Sequence, residues 1–334
     1  MNHNAPLTPR PLPLSSRTGS AQRLASADQL RAQGFPAAEV AAQCRPGGWQ
    51  QVLPGVFLLR PGPPTSEDRL HAALLYARRP GTLPRQGPEA MITGLAALTL
   101  HRFASAPPLT ALERIDVLVP RTRRLRSTGW VRVVRAPEAP EPVQLTGVPV
   151  APVARAVADA VSGLSAAEEV RALLTEAVRG GHCEPSAVVR ELSRARLLSR
   201  PHVADAVDAL LTEGRSLSEE RLYALVREFG LPDPLWNVDL RLPGGPHLGG
   251  VDAYWPDQAV AVELDTRAPR QDDDALWSEY TRKREHLERL GITVVHLTPR
   301  KLREARDQQA TVVRTALMAA PDRHPAAYVV VLPR

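Results

Sequence analysis

The chain is 334 residues long with 43% hydrophobic residues, too long for one typical domain and rich enough in apolar side chains to bury a core, so two or three domains are expected. No apolar run approaches bilayer length, which argues against a helical membrane span. Cys44 and Cys183, far apart and outside metal-ligand spacing, argue against a disulfide framework or zinc site.

The net charge of +6 is unevenly placed: residues 1–160 carry nine more arginines than acids, and the remainder is slightly acidic. That asymmetry fits either a nucleic-acid-binding front half or ordinary solvated charge. A soluble cytoplasmic protein is the expectation. Residues 1–19, rich in Pro, Ser and Arg without an apolar h-region, read as a disordered tail rather than a signal peptide.

Ser20 to Gln33 reads as a helix with a modest apolar stripe through Leu24, Ala27 and Leu30, and Gly34 ends it. Pro36 opens a second short helix through Cys44. Trp49 to Leu53, a Pro54-Gly55 turn and Val56 to Leu59 then form a hairpin with the place and size of a wing. A winged helix-turn-helix is therefore predicted over 20–64. Its second helix, AAEVAAQCR, offers only Gln43 and Arg45 to DNA, so the module either reads DNA or docks a protein.

SEDRLHAALLYARR from Ser66 reads as a capped amphipathic helix, and Met91 to His101 as another. Arg114 to Pro120 and Trp130 to Arg135 read as strands around a basic loop holding Arg121, Arg123, Arg124 and Arg126. A Pro-rich stretch, 137–142, precedes Gly147 to Val150 and a helix opening at Pro152. Several of these landmarks resemble the N-terminal half of AbiE-type antitoxins: Leu53-Pro54-Gly55-Val56-Phe57, Ala96-Ala97-Leu98, Ile115-Asp116-Val117, and Pro149 to Arg155 leading to Asp159. Ala156 stands where family members have Thr. The resemblance covers roughly residues 20–160. It implies an α+β antitoxin-like domain over 65–160 and a module that binds DNA or a protein partner such as a toxin. Arg155 and Asp159, one helical turn apart, read as a structural salt bridge.

Residues 161–214 read as a helical connector, with helices over Ala166 to Gly180 and Pro185 to Glu213 and no evident chemistry; His182 beside Cys183 lacks the further ligands of a metal site. A third helix is predicted from Ser218 to Phe229, burying Leu222, Leu225, Val226 and Phe229, with Glu219 on the packing side and Glu220 outward. Trp236 to Leu242 reads as a strand. In Gly249 to Asp265, two strands flank a Trp-Pro-Asp turn. Alternation puts Val260, Val262 and Leu264 on one face and Glu263 and Asp265 on the other. On the preceding strand, Asp252 and Tyr254 oppose Val251, Ala253 and Trp255. Neighbouring strands would bring Asp252 to Glu263, where the acids repel unless a cation lies between them.

An acidic loop with Asp272, Asp273 and Asp274 follows, then a helix whose seam runs Leu276, Tyr280, Lys283, Leu287 and Leu290. The chain's only lysines are Lys283 and Lys301. Lys283 in an apolar seam is either a snorkelling side chain or a compact charge for a phosphate or nucleophilic water. Ile292 to Leu297 reads as a strand, a last helix begins at Arg300, and 321–334 reads as a tail.

Ser216 to Glu219, Gly230-Leu231-Pro232, Val251-Asp252 with Trp255-Pro256, Val262 to Asp265, and Lys283 with Leu287 and Gly291 together resemble the very-short-patch-repair-like branch of the PD-(D/E)XK nucleases. Asp265 stands where the broad signature has Lys, and Thr266 and Tyr280 stand where the branch has Gly and an acid. The resemblance implies a restriction-endonuclease-like α/β/α domain with a mixed sheet over 215–320, completing an α/β multidomain chain. It implies that Asp252 and Glu263, with the Leu264 carbonyl, hold magnesium or manganese, and that Glu219 orients water or a second ion. Lys283 would assist the nucleophile or contact phosphate, and Asp265 would position water. Two readings follow: a metal-dependent DNA endonuclease, in a phage-defence or toxin-antitoxin setting, and a DNA-binding regulator or antitoxin with a degenerate, non-catalytic core.

Overall fold

The computed structural model describes residues 23–78, 90–266, 274–319 and 328–334. The predicted tail at 1–19 and the loop acids Asp272 and Asp273 lie outside these residues, as do the side chains of Asp274, Leu276 and Tyr280. The described residues form two compact units. One holds those up to Ile92 with Pro108–Val150, the other Thr93–Pro107 with those from Ala151 onward.

The first unit begins with β1 (Leu24–Ser26), α1 (Ala27–Ala32), α2 (Ala37–Gln43), β2 (Gln50–Leu53) and β3 (Val56–Leu58). β1 takes the place of the helix expected from Ser20. Leu24 and Ala25 pair with Leu58 and Phe57 and become buried in a strand, and α1 can start only after the Ser26–Gln29 capping box. β2 and β3 form the expected hairpin, with Gly55 at a φ of 73°, in a sheet ordered β1-β3-β2. Ala25, Leu30 and Val40 make the small core beneath it.

α3 (Ser66–Ala77) starts from a second capping box, between Thr65 and Asp68. Then comes β4 (Met91–Thr93), where a helix was expected. Its side chains are all buried, Ile92 pairs in parallel with Val150, and Gly94 at a φ of 62° turns the chain into α4 (Gly94–Leu100). With β5 (Ile115–Pro120), β6 (Val131–Ala136), β7 (Val143–Leu145) and β8 (Val148–Val150), β4 builds a sheet ordered β6-β5-β4-β8-β7. β5 and β6 run parallel, tied by both carboxylate oxygens of Asp116 to Arg132.

In the second unit, α4 packs on α5 (Val153–Ser162), and α6 (Ala167–Arg179) and α7 (Pro185–Arg194) pack on α8 (Pro201–Glu228). The expected Arg155–Asp159 pair is present: Arg155 grips both oxygens of Asp159 at 3.0 and 2.7 Å, and the buried Thr93 hydroxyl donates to it at 2.6 Å. α8 is one 28-residue helix that merges the helix expected to end at Glu213 with the one expected from Ser218. Gly214, in the expected gap, is buried inside it; a Cβ there would stand 2.4 Å from the Pro185 ring of α7.

β9 (Leu235–Arg241), β10 (His247–Trp255), β11 (Val260–Leu264), α9 (Asp274–Arg289), β12 (Thr293–Leu297), α10 (Pro299–Glu304), α11 (Arg306–Met318) and β13 (Val330–Pro333) complete the unit. The sheet order is β12-β11-β10-β9-β13. β10 is antiparallel to both β9 and β11, and β12 is parallel to β11. β13, in a stretch expected to be a tail, pairs antiparallel with β9 as an edge strand, where Pro333 is tolerated. The single helix expected from Arg300 is split into α10 and α11 at Ala305.

Both faces of this sheet are covered. Leu222, Leu225 and Val226 of α8, Leu302 of α10 and Val313 and Leu317 of α11 pack with Ala253, Trp255, Val262 and Leu264. On the other face Leu287 of α9 and Ile292 pack with Val238, Leu240, Val251, Tyr254 and Ala261. Val251 therefore does not share a face with Ala253 and Trp255 as alternation predicts. The register sets Asp252 across from Asn237, whose φ of 48° twists β9 at that point, and the side-chain alternation of β10 changes phase there. No helix among the described residues is long and apolar enough to cross a membrane.

Candidate active site

The twist at Asp252 is where the second unit gathers its charges. The β10–β11 ladder runs from Trp255↔Val260 to Ala253↔Val262. Beyond it, the Asp252 carboxylate takes the place of a strand carbonyl: its Oδ2 accepts the Leu264 N–H at 2.7 Å. Its Oδ1 accepts from Arg215 Nη2 at 3.0 Å, and Arg215 Nε donates to Glu219 Oε1 at 2.9 Å. Arg215 and Glu219 lie one turn apart on α8, so a single guanidinium bridges helix and sheet.

Glu263, only 6% exposed, is met by α9 on the opposite face. Lys283 Nζ forms an ion pair with its Oε1 and donates to the Gly250 carbonyl at 2.7 Å. The Lys283 side chain is thus drawn onto the sheet, not extended to solvent. His296, beside Glu263 in the parallel register, brings Nδ1 to 3.6 Å of the second carboxylate oxygen. Gly249 makes room for the lysine. Its φ is 115°, and a Cβ there would stand 2.6 Å from Lys283 Cε.

Glu219 and Asp252, joined by Arg215, and Glu263, joined to Lys283, therefore form two ion-paired halves of a charge cluster in which the Asp252 and Glu263 charges act on each other. Burial holds the Asp252 carboxyl above its ordinary pKa; the Leu264 N–H and Arg215 pull it down, and the charges of Glu219 and Glu263 push it up. The acids do not close on a common point as expected. Arg215 stands between Glu219 and Asp252, and Lys283 on Glu263, supplying the positive charge that an acid pair in a Val-rich sheet requires. Asp265 is not in the cluster: it lies past the end of β11, exposed, with its N–H on the Leu297 carbonyl. The Leu264 carbonyl accepts the Thr266 N–H at 3.0 Å.

These contacts decide how the cluster fits a divalent cation. Both oxygens of Asp252 are engaged, Glu263 is held by Lys283, and among the described residues no three His, Cys, Asp or Glu side chains form a metal-holding group. The residues as arranged do not fit a bound metal. Two members of the cluster went unnoticed in the sequence. Arg215 has a signal, its i,i+4 spacing to Glu219, hidden by the gap expected between Glu213 and Ser218; His296 has none before the strand register is known.

The chain matches no protein-family model and no curated protein.

Proposed function

We propose that the second unit is a DNA endonuclease core and that the cluster of Glu219, Asp252, Glu263 and Lys283 is its reaction centre. One observation supports this reading: a helix, three antiparallel strands, a helix and a parallel strand bring Glu219 and Asp252 onto Arg215 and Glu263 onto Lys283, near enough that the Asp252 and Glu263 charges act on each other. It is the order and residue set that the PD-(D/E)XK resemblance implies. Phosphodiester hydrolysis requires a proton acceptor for the attacking water and positive charge near the phosphate oxygens. The carboxylates of Asp252 and Glu263 supply the first, and Lys283 and Arg215 the second. Magnesium or manganese, which the resemblance also implies, does not fit the cluster as arranged, and no step is routed through it.

The test is incubation of the full chain with supercoiled and linear DNA in EDTA, in magnesium and in manganese. Nicking or cutting by the wild type, lost in Asp252→Asn, Glu263→Gln and Lys283→Met, is expected. Intact DNA in all three buffers, or equal cutting by the variants, rejects the reading.

A second reading is favoured by the ion pairs themselves: a regulator or antitoxin whose nuclease-like core is only structural. Pairing of every cluster acid with a cation supports it, as does the winged-helix-like order of β1, α1, α2, β2 and β3 in the first unit. A DNA or toxin partner belongs to either reading. Absence of cutting together with sequence-selective DNA binding, or co-purification with a toxin, would favour this second one.

A further inference from the structure

If the protein acts on DNA, the first unit needs a surface that meets it, and α2 is poorly suited. Its outward residues are Ala37, Ala38, Glu39, Ala41 and Ala42, without a single cation. The positive charge lies elsewhere. From Val117 to Pro137 the sequence holds six arginines and no acid. Arg132 is spent on Asp116. Arg123 and Arg135 donate to backbone carbonyls in the contacts that fix the loop, and among the described residues neither forms an ion pair with an acid. Arg121, Arg124 and Arg126 are exposed.

The loop carrying these arginines is built as a rigid mount. Arg135 donates to the carbonyls of Arg123 and Leu125, Tyr76 to that of Arg126 at 2.7 Å, and Ser127 Oγ accepts from Val133 N–H at 3.0 Å. Arg123 Nη2 donates to the Ala77 carbonyl at 2.9 Å, capping the C-terminal end of α3. The loop backbone is thereby held by side chains of β6 and α3, and a loop ordered beforehand loses less entropy when it binds.

We infer that the loop from Arg121 to Arg126 is a docking surface for the phosphate backbone of nucleic acid, with Arg121, Arg124 and Arg126 as its contacting side chains. Guanidinium groups suit phosphate oxygens in geometry and charge, and their spacing along an irregular loop suits a backbone rather than base edges. The inference rests on the reading that the protein acts on DNA but not on its being a nuclease.

Binding of the full chain to a mixed-sequence duplex, in EDTA so that nothing is cut, is measured by fluorescence anisotropy over a range of salt. Each phosphate contact adds about 0.9 to the slope of log K against log salt. The R121A/R124A/R126A variant is expected to lower that slope by roughly 2 to 3 and to weaken the Kd at least about tenfold at moderate salt. R121K/R124K/R126K should keep most of the slope, separating lost charge from lost fold, and Arg45→Ala at the end of α2 should change little. An unchanged slope in the alanine variant overturns the inference while leaving the nuclease reading intact. Equal binding to an acidic polypeptide, with the same dependence on the three arginines, would mark a protein surface and overturn it too. Failure of the wild type to bind DNA would overturn both readings.

Discussion

Arg215 is the residue on which the cluster turns, and its removal has a calculable cost. Its side chain is 43% exposed, whereas that of Asp252 is 11% exposed. An exposed ion pair contributes under about 1 kcal/mol, and breaking a buried one costs about 3–5 kcal/mol. A half-solvated guanidinium on a buried carboxylate lies between, so Arg215→Met should destabilise the second unit by roughly 1–3 kcal/mol at pH 7. The loss should depend on pH in a defined direction. Burial already holds the Asp252 pKa above its unfolded value, and losing Arg215 raises it further. A carboxyl with a raised folded-state pKa binds its proton more tightly when folded. Stability is therefore gained as pH falls through that pKa, and the variant's deficit shrinks toward acid. Urea denaturation of wild type and variant between pH 7.5 and 5 measures this. Asp252→Asn in the Arg215→Met background removes the charge while leaving an acceptor for the Leu264 N–H, so it should recover most of the deficit. A deficit that stays constant with pH, or no recovery by Asn, would refute the account of Asp252 as a buried charge held by Arg215.

Gly249→Ala must adopt a left-handed φ and meet Lys283 Cε at 2.6 Å. It should cost about 1–3 kcal/mol in denaturation and reduce any cleavage along with Lys283→Met. Asp159→Ala leaves the nearly buried Arg155 with Glu191, 3.6 Å away, as its acid partner among the described residues, and removes the acceptor of the Thr93 hydroxyl. A loss of about 3–5 kcal/mol is expected, whereas removing the fully exposed Glu304, paired with Arg300 and Arg303, should leave stability nearly unchanged. Cys183 is partly buried, and its thiol is pushed up to about 12 by burial first and the Glu184 charge second, with Arg303 pulling it down. At pH 8 an iodoacetamide peptide map should show it unmodified in the folded protein and labelled in urea.

Sequence patterns located the cluster better than they described it. The period of two in Val260 to Leu264 and the seam of Lys283 with Leu287 are local signals, enforced by burial on either face of the sheet. They put Glu263 on the side of the sheet facing α9 and Lys283 on the side of α9 facing the sheet, which is how the two meet. Asp252 was found for an incomplete reason: strict alternation assigns it a face, yet its position depends on the twist opposite Asn237, which no pattern in β10 announces. β13 was missed because strand pairing over some ninety residues leaves no local trace beyond the apolar run Val329 to Leu332. The helix boundary expected after Glu213 misled in the opposite way. A glycine in a helical pattern suggests a break, but here it admits Pro185 of α7 into a continuous helix. That misplaced boundary separated Arg215 from Glu219, and with it went the bridge from α8 to the buried Asp252.

The same bridge divides the two functional readings, because the interaction that stabilises the unit also occupies the carboxylates that a catalytic cation would need. In a reaction centre held by its own cations, Arg215→Met lowers stability and at the same time frees Asp252 Oδ1 and Glu219, so calorimetric titration with manganese should gain heat of binding that Asp252→Asn abolishes. In a structural ion-pair network the same substitution lowers stability and adds no cation binding. Stability and cation affinity moving in opposite directions would favour the nuclease. Stability falling alone would leave a charge cluster that serves only to join α8, β10, β11 and α9.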